Sequence, residues 1–97
     1  MKRTATQPLG KILEAFFEDN PHIADKLAEA RLISYWNNGM SPAITRFTGD
    51  LFIRKRVLYV QLKSAVLKNE LMMLREQMIE KLNREVGRRV IDGIVFC

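Results

Sequence analysis

The sequence has few of the residues from which metal sites and disulfides are built. Of its 97 residues one is a histidine, His22, and one is a cysteine, Cys97, which stands last. A lone cysteine cannot form an internal disulfide, and one cysteine with one histidine cannot supply the ligands of a zinc site. The sequence therefore predicts no metal or other cofactor, and its cysteine usage fits a reducing compartment.

The parts of a catalytic site are equally scarce. No glycine falls in a GxGxxG or P-loop arrangement, so a phosphate-binding loop is not expected. Ser41 and Ser64 have no histidine at a spacing typical of a nucleophile and its base, and His22 is expected to be an ordinary first-turn helix residue. Carboxylates near the C-terminus alternate with basic residues, as in solvated helix pairs. We expect a protein without enzymatic activity.

Long apolar runs are also missing. No stretch approaches the ~20 apolar residues of a membrane span. The first residues, Met1–Thr4, lead into Gln7 and Pro8 rather than into the apolar core of a secretory signal. The sequence therefore predicts a cytoplasmic protein without a membrane partner.

What the sequence does have is enough apolar surface for one domain and an uneven charge. With 47% apolar residues, we expect a single domain over residues 8–97 after a flexible segment at residues 1–7. Residues 1–50 hold six basic and six acidic side chains, whereas residues 51–97 hold ten and five, which places the whole net charge of +5 in the second half. Such a field suits a polyanion such as nucleic acid, although a well-hydrated surface is the alternative.

In the first half the apolar spacing predicts helices. A short amphipathic helix is expected over residues 8–18. Asn20-Pro21 can begin a second helix that runs to about Trp36, with Gly39 as a left-handed C-cap. Trp36 is expected to anchor this helix on a sheet rather than to stack on a base. Ser41-Pro42 should then begin one further helical turn at residues 43–46.

The second half changes to a strand pattern. Residues 51–53 and 57–62 read as a β-hairpin with a cationic tip, and Leu58, Val60 and Leu62 should face the core. Ser64 can cap a long helix that ends at Gly87, and residues 90–96 read as a last strand. The apolar stripe of that helix is Leu67, Leu71, Leu74, Met78 and Leu82, broadened by Val66, Met73, Ile79 and Val86. Met72 and Met73 are expected to fill the core, with an exposed patch as the alternative.

The candidate nucleic-acid-binding residues are seven of the ten cations of this half and one neighbour. They are Arg54, Lys55, Arg56, Lys63 and Lys68, with Arg46, Arg88 and Arg89 as further candidates. If helix and hairpin pack together, some of them should line one groove. The alternative is that cations at a strand edge block aggregation.

Several segments together resemble the DciA family of bacterial proteins. They are Trp36 with Gly39, Ser41–Ile44, Leu51–Val60, Ser64–Leu71 and Leu82–Gly87 before a terminal strand. The resemblance covers about residues 9–97, in the short, single-domain form. It implies an α+β, KH-like fold and a nucleoid-associated role in DNA replication, in which the protein binds the replicative helicase and assists its loading on single-stranded DNA without hydrolysing a nucleotide.

Two departures limit what the resemblance implies. The sequence has no GxxG, so the nucleotide clamp of true KH domains is not expected. It also lacks the long C-terminal extension of many relatives. Two other functions stay open: an RNA-binding KH-like module, favoured by Phe52 and Tyr59 on strands, and a structural homodimer that buries its methionine-rich helix face and binds no nucleic acid.

Overall fold

A computed structural model describes residues 19–97 of the chain. In chain order the elements are α1 (Pro21–Gly39), α2 (Pro42–Thr45), β1 (Thr48–Arg54), β2 (Val57–Leu62), α3 (Ala65–Met73), α4 (Arg75–Val86) and β3 (Gly93–Phe96). The predicted α+β class and element order are confirmed. The flexible segment expected at residues 1–7 and the helix expected at 8–18 lie outside the described residues.

Helix α1 begins at the predicted residue and ends at Gly39, later than the predicted end near Trp36. Proline stands at its first position, and the carbonyl of Asn20 accepts hydrogen bonds from Ile23 and Ala24. The expected left-handed C-cap at Gly39 is wrong, because this residue is still helical and Met40 leaves in an extended conformation. A Cβ on Gly39 would lie 2.6 Å from Cε1 of Tyr35. The glycine is therefore needed for space beside the Tyr35 ring.

The three strands form one sheet in the order β1-β2-β3. β1 pairs antiparallel with β2, and β2 pairs parallel with β3. Leu58 and Val60 are buried on one face and Leu62 is partly buried, as the alternation predicts. Because side chains alternate along a strand, the same face also receives Ile94 and Phe96 of β3, both buried. This inner face is the core side of the sheet.

Helices α1 and α4 contribute the other side of the core. Trp36 of α1 is fully buried. Its indole Nε1 donates a hydrogen bond to Oγ1 of Thr48 at 3.1 Å, and that hydroxyl donates to the carbonyl of Ile44 at 2.9 Å. Leu82 of α4 is buried in the same cluster. Trp36 thus joins α1 to the first residue of β1, as expected, and its polar atom is satisfied.

The predicted long helix is broken at Leu74, which is a correction to the sequence reading. Ser64 caps α3 as predicted, since its Oγ accepts from the N–H of Leu67 at 3.1 Å, and Gly87 ends α4 at a φ of 93°. Leu74, however, has φ −104° and ψ 11°, and its N–H bonds to the carbonyl of Leu71. The break turns Leu74 outward, although the stripe predicted it in the core.

The break also exposes other residues of the predicted apolar band. Val66 is 72% exposed, Met73 is 79% exposed and Met72 is exposed as well. The expectation that the two methionines fill the core is therefore wrong. Together with Leu74 these are the exposed apolar side chains on and just after α3, here called the α3 corner. No helix within residues 19–97 is both long and apolar enough to cross a bilayer.

The last strand is shorter than predicted. It begins at Gly93, whereas the sequence suggested residue 90. Val90 and Ile91 are buried without being part of the sheet. Their backbone N–H groups bond instead to a side chain of α4, so the apolar character that suggested a strand reflects burial of the loop.

Candidate nucleic-acid interface

The eight predicted cations lie in three places on the fold. Arg54 and Lys55 stand at the hairpin tip. Arg56 turns toward the loop before β3, where it meets Arg88 and Arg89. Arg46, Lys63 and Lys68 lie at the other end of the hairpin, at or near the ends of α2, β2 and α3. The structure therefore brings three of the eight together and separates the rest.

The hairpin tip has an unusual backbone. β1 and β2 are joined by two residues, and both have positive φ, 51° at Lys55 and 64° at Arg56. A two-residue turn of this kind normally uses Asn-Gly, because a residue with a Cβ in the left-handed region costs about 1–2 kcal/mol. The chain thus keeps two long cations where asparagine and glycine would fit more easily. Residues held at such a cost are often functional.

Arg56 belongs to a set of ion pairs that we call the arginine seam, defined as Asp25, Arg56, Arg88, Arg89 and Asp92. Arg56 donates from Nε to Oδ2 of Asp92 at 2.8 Å and from Nη2 to Oδ1 at 3.3 Å. Nη2 also donates to the carbonyl of Arg89 at 3.1 Å, and Nε of Arg89 donates to Asp92 at 2.8 Å. Arg88 pairs with Asp25 of α1. The seam connects the hairpin, the loop before β3 and α1.

The seam has little free positive charge. Hydrogen bonds from Arg56 and then Arg89 lower the pKa of Asp92 to about 2, and the bond to Asp92 raises the pKa of Arg56. A cleft of about 130 Å³ lies beside these groups, lined by Asp25, Ala28, Glu29, Arg56, Arg88, Arg89 and Val90. The two aspartates compensate two of the three guanidinium charges, and Glu29 at the cleft is paired with Lys26. Little net positive charge is therefore left for a phosphate.

Asn83 of α4 holds the backbone that carries the seam. Its Oδ1 accepts from the N–H groups of Val90 at 2.8 Å and Ile91 at 3.1 Å, and its Nδ2 donates to the carbonyl of Ile91 at 2.9 Å. The side chain is buried, so these bonds form away from water. Asn83 therefore fixes the loop that places Arg88, Arg89 and Asp92.

The other five predicted cations lie outside the arginine seam. Within residues 19–97, Arg46, Arg54, Lys55, Lys63 and Lys68 form no ion pair with a carboxylate. The N–H of Lys63 bonds to the carbonyl of Phe47 at 2.8 Å, which brings the backbones of Arg46 and Lys63 close together. A six-residue strand is about 20 Å long, and β2 separates this base from the tip. Cations without a carboxylate partner in this part of the chain, here called free cations, thus stand at both ends of the hairpin.

The outer face of the sheet lies between these ends. Phe52 of β1 is directly opposite Tyr59 of β2, with ring centroids 4.9 Å apart and planes 10° from parallel. The guanidinium carbon of Arg54 lies 5.8 Å from the centroid of the Phe52 ring. Tyr59 is in turn paired with Val95 of β3. We call Phe52, Arg54, Tyr59 and Val95 the outer row.

Comparison with known protein families shows to which family this chain belongs. A family model described as "Dna[CI] antecedent, DciA" matches residues 8–96, nearly the whole chain. The chain belongs to the DciA family. DciA proteins are of the helicase-loader type, and theirs is not a catalytic family. No curated protein and no solved structure matches this chain.

Sequence reasoning missed the acidic half of the seam in this DciA chain. Asp25 meets Arg88, 63 residues away, and Asp92 meets Arg56, 36 residues away, which no local pattern indicates. Only the contact of Asp92 with Arg89, three residues before it, is local.

The role of Asn83 was easier to predict from the sequence. It lies four residues after the buried Ile79 and therefore on the core side of α4. A polar residue at such a position indicates a buried partner. Within the described part of the chain, no group of three or more potential metal ligands occurs.

Proposed function

We propose that this chain is a non-enzymatic adaptor that binds the bacterial replicative DNA helicase and assists its loading on single-stranded DNA, in the cytoplasm at the nucleoid. The observation that carries the proposal is membership of the DciA family over residues 8–96. A loader of this kind needs two surfaces, one for the helicase and one for the DNA. In the described part of the chain, residues suited to the helicase surface and residues suited to the DNA surface lie on different parts of the fold.

For DNA we propose the free cations at the two ends of the hairpin. Arg54 and Lys55 at the tip, and Arg46, Lys63 and Lys68 at the base, have no carboxylate partner within residues 19–97. Cations of this kind bind phosphates and release counterions, which gives affinity without reading sequence. We assign Arg56, Arg88 and Arg89 to the structural seam, because each is paired with an aspartate.

For the helicase we propose the α3 corner. Val66 and Met73 are 72% and 79% exposed, and exposed apolar side chains that include flexible methionines are typical of protein contacts. The corner lies on the helix that follows the hairpin base, so the helicase and the DNA would meet neighbouring surfaces. A second copy of this chain is the alternative occupant of this patch.

A pull-down with the cognate replicative helicase tests the proposal. The wild-type protein should retain the helicase, and Val66→Ser/Met73→Ser should lose most of the binding. Ile23→Ser, which removes an exposed apolar residue of α1 rather than of α3, is the matched control and should bind normally. A folded wild-type protein that fails to retain the helicase would refute the adaptor function. If the double variant instead converts a dimer to a monomer in sedimentation and binds the helicase normally, the corner is a homodimer surface.

An RNA-binding module is the second candidate, favoured by the exposed Phe52 stacked on Tyr59. Aromatic rings on strands stack unpaired bases in several RNA-binding modules. Competition between single-stranded DNA and RNA of matched sequence separates the two functions. The loader should bind DNA at least as tightly as RNA, whereas a strong preference for RNA together with no helicase binding would favour the RNA module.

A further inference from the structure

We propose that the outer face of the sheet is a base-stacking platform for single-stranded DNA, with Phe52 and Tyr59 as the stacking residues. This inference rests on the proposed function, which requires DNA contact but does not say how the bases are held. It adds a second kind of contact to the phosphate contacts of the free cations. The two kinds can be separated by experiment, because phosphates are present in an oligonucleotide that has no bases.

The pairing of the strands places the outer row across the whole sheet. Phe52 is opposite Tyr59, and Tyr59 is opposite Val95, so one row crosses β1, β2 and β3. Their neighbours along each strand point to the core, where Leu58 and Ile94 are buried. The row is therefore fixed by the packing of the opposite face, and its side chains are held on three paired strands rather than on a loop.

The row is open to solvent at its two outer residues. Phe52 is 43% exposed and Val95 is 42% exposed, while Tyr59 between them is partly buried. β1 is an edge strand, so no strand of the described sheet lies beyond Phe52. The buried core residues of α1 and α4 pack in the same cluster as the inward residues of the strands. A large aromatic ring left open at a sheet edge offers a flat apolar surface to a ligand.

The chemistry of this face favours a nucleic acid strand as its occupant. The rings are nearly parallel at 4.9 Å, and the planar guanidinium of Arg54 lies 5.8 Å from the Phe52 centroid. Arginine and aromatic rings both stack on bases, whatever the sequence. Asp50 is the only acidic residue in the three strands. Cations without a carboxylate partner among residues 19–97 lie at the tip and the base of the hairpin, on either side of the row. Apolar rings between cations suit a strand of bases joined by phosphates.

Fluorescence anisotropy with labelled oligonucleotides tests the platform. The probes are a 20-nucleotide thymidine oligomer and an abasic oligomer of equal length, which keeps the phosphates and has no bases. The wild-type protein should bind the thymidine oligomer more tightly. Phe52→Leu/Tyr59→Leu should weaken that binding about tenfold or more, because the stacking of bases on aromatic rings contributes to affinity whatever the sequence. Its affinity for the abasic oligomer and the slope of its salt dependence should not change.

Two controls make the result specific. Phe47→Leu removes an exposed ring outside the row and should bind like wild type. Thermal unfolding checks that each variant folds. If the double variant does not fold, photocrosslinking of the wild-type protein to a 5-iododeoxyuridine oligomer replaces it, and the crosslinks should map to Phe52 or Tyr59.

The platform is overturned by equal wild-type affinity for the two oligomers, by unchanged binding of the folded double variant, or by crosslinks confined to other residues. A double variant that binds DNA normally but no longer self-associates also overturns it, in favour of a second copy on this face. Helicase pull-down with the same double variant keeps the two proposals apart. Loss of base stacking with normal helicase binding supports both, whereas failure of wild-type helicase binding refutes the adaptor and leaves the DNA result to stand by itself.

Discussion

Arg54 and Arg56 are two residues apart at the hairpin tip, yet they belong to opposite kinds of surface. Arg56 makes three hydrogen bonds to Asp92 and to the carbonyl of Arg89, within the arginine seam. Arg54 lies over the Phe52 ring in the outer row and, among residues 19–97, has no carboxylate partner. The seam arginines are about half exposed but are paired with aspartates, whereas Arg54 has no such pair among these residues. Counting cations in the sequence therefore overstates the positive charge that is available to a polyanion.

The first test of this comparison removes one aromatic residue from each side of the sheet. Trp36 is fully buried, whereas Phe52 is 43% exposed. Trp36→Ala should lower the free energy of unfolding by about 3–5 kcal/mol, while Phe52→Ala should lower it by only about 1–2 kcal/mol. Urea unfolding measures both. Equal losses would mean that the outer row is as much part of the core as Trp36.

The second test addresses the support of the seam. Asn83→Ala removes three buried hydrogen bonds to the loop before β3, and it leaves buried backbone groups unpaired. The free energy of unfolding should fall by about 2–4 kcal/mol. Asn38→Ala is the matched control, because this exposed asparagine bonds only within α1, and it should change stability by about 0.5 kcal/mol or less. A small effect at Asn83 would contradict the role given to it.

The third test separates stability from binding at the tip. Lys55 has a φ of 51°, and asparagine adopts this conformation more easily than lysine. Lys55→Asn should therefore raise the free energy of unfolding by about 0.5–1 kcal/mol. The same change removes a free cation, so DNA affinity should fall several-fold. A variant that is more stable and binds DNA normally would show that the strained lysine has no role in binding.

The smallest effect is expected from acid titration of the seam. The pKa of Asp92 is lowered to about 2 by Arg56 and Arg89. A carboxylate with a lowered pKa stabilises the fold above its unfolded-state pKa of about 4, and this contribution is lost as pH falls toward 2. Asp92→Asn should thus be less stable than wild type at neutral pH, and the difference should disappear near pH 2. Since the pair is exposed, added salt should also reduce it. A difference that persisted in acid would contradict this origin.

Local signals were enough to predict most of the fold. The two apolar runs around Arg54–Arg56 gave the hairpin, and Ser64 and Gly87 marked the limits of the helical region. The break at Leu74 was not predictable in this way, because neither proline nor glycine occurs there and the apolar spacing continues through it. Packing of α3 and α4 against different parts of the core overrides the helical pattern.

The candidate site was predictable by residue type but not by role. Eight cations could be selected from the sequence, and the structure separates them into a paired seam, a free tip and a free base. That separation depends on contacts between residues far apart in sequence, such as Arg56 with Asp92 and Arg88 with Asp25. The stacking of Phe52 on Tyr59 depends on the strand register, which a two-residue turn fixes.

The most direct test of the central claim removes the same charge from the two regions. Arg54→Ala/Lys55→Ala and Arg88→Ala/Arg89→Ala each remove two positive charges, and binding of the thymidine oligomer is titrated at several salt concentrations. The first variant should lose about tenfold or more in affinity and flatten the salt slope by about 1.4, since each phosphate contact on a single strand contributes about 0.7. The second should stay within about twofold of wild type. Equal losses in the two variants, or a larger loss at the seam, would contradict the account.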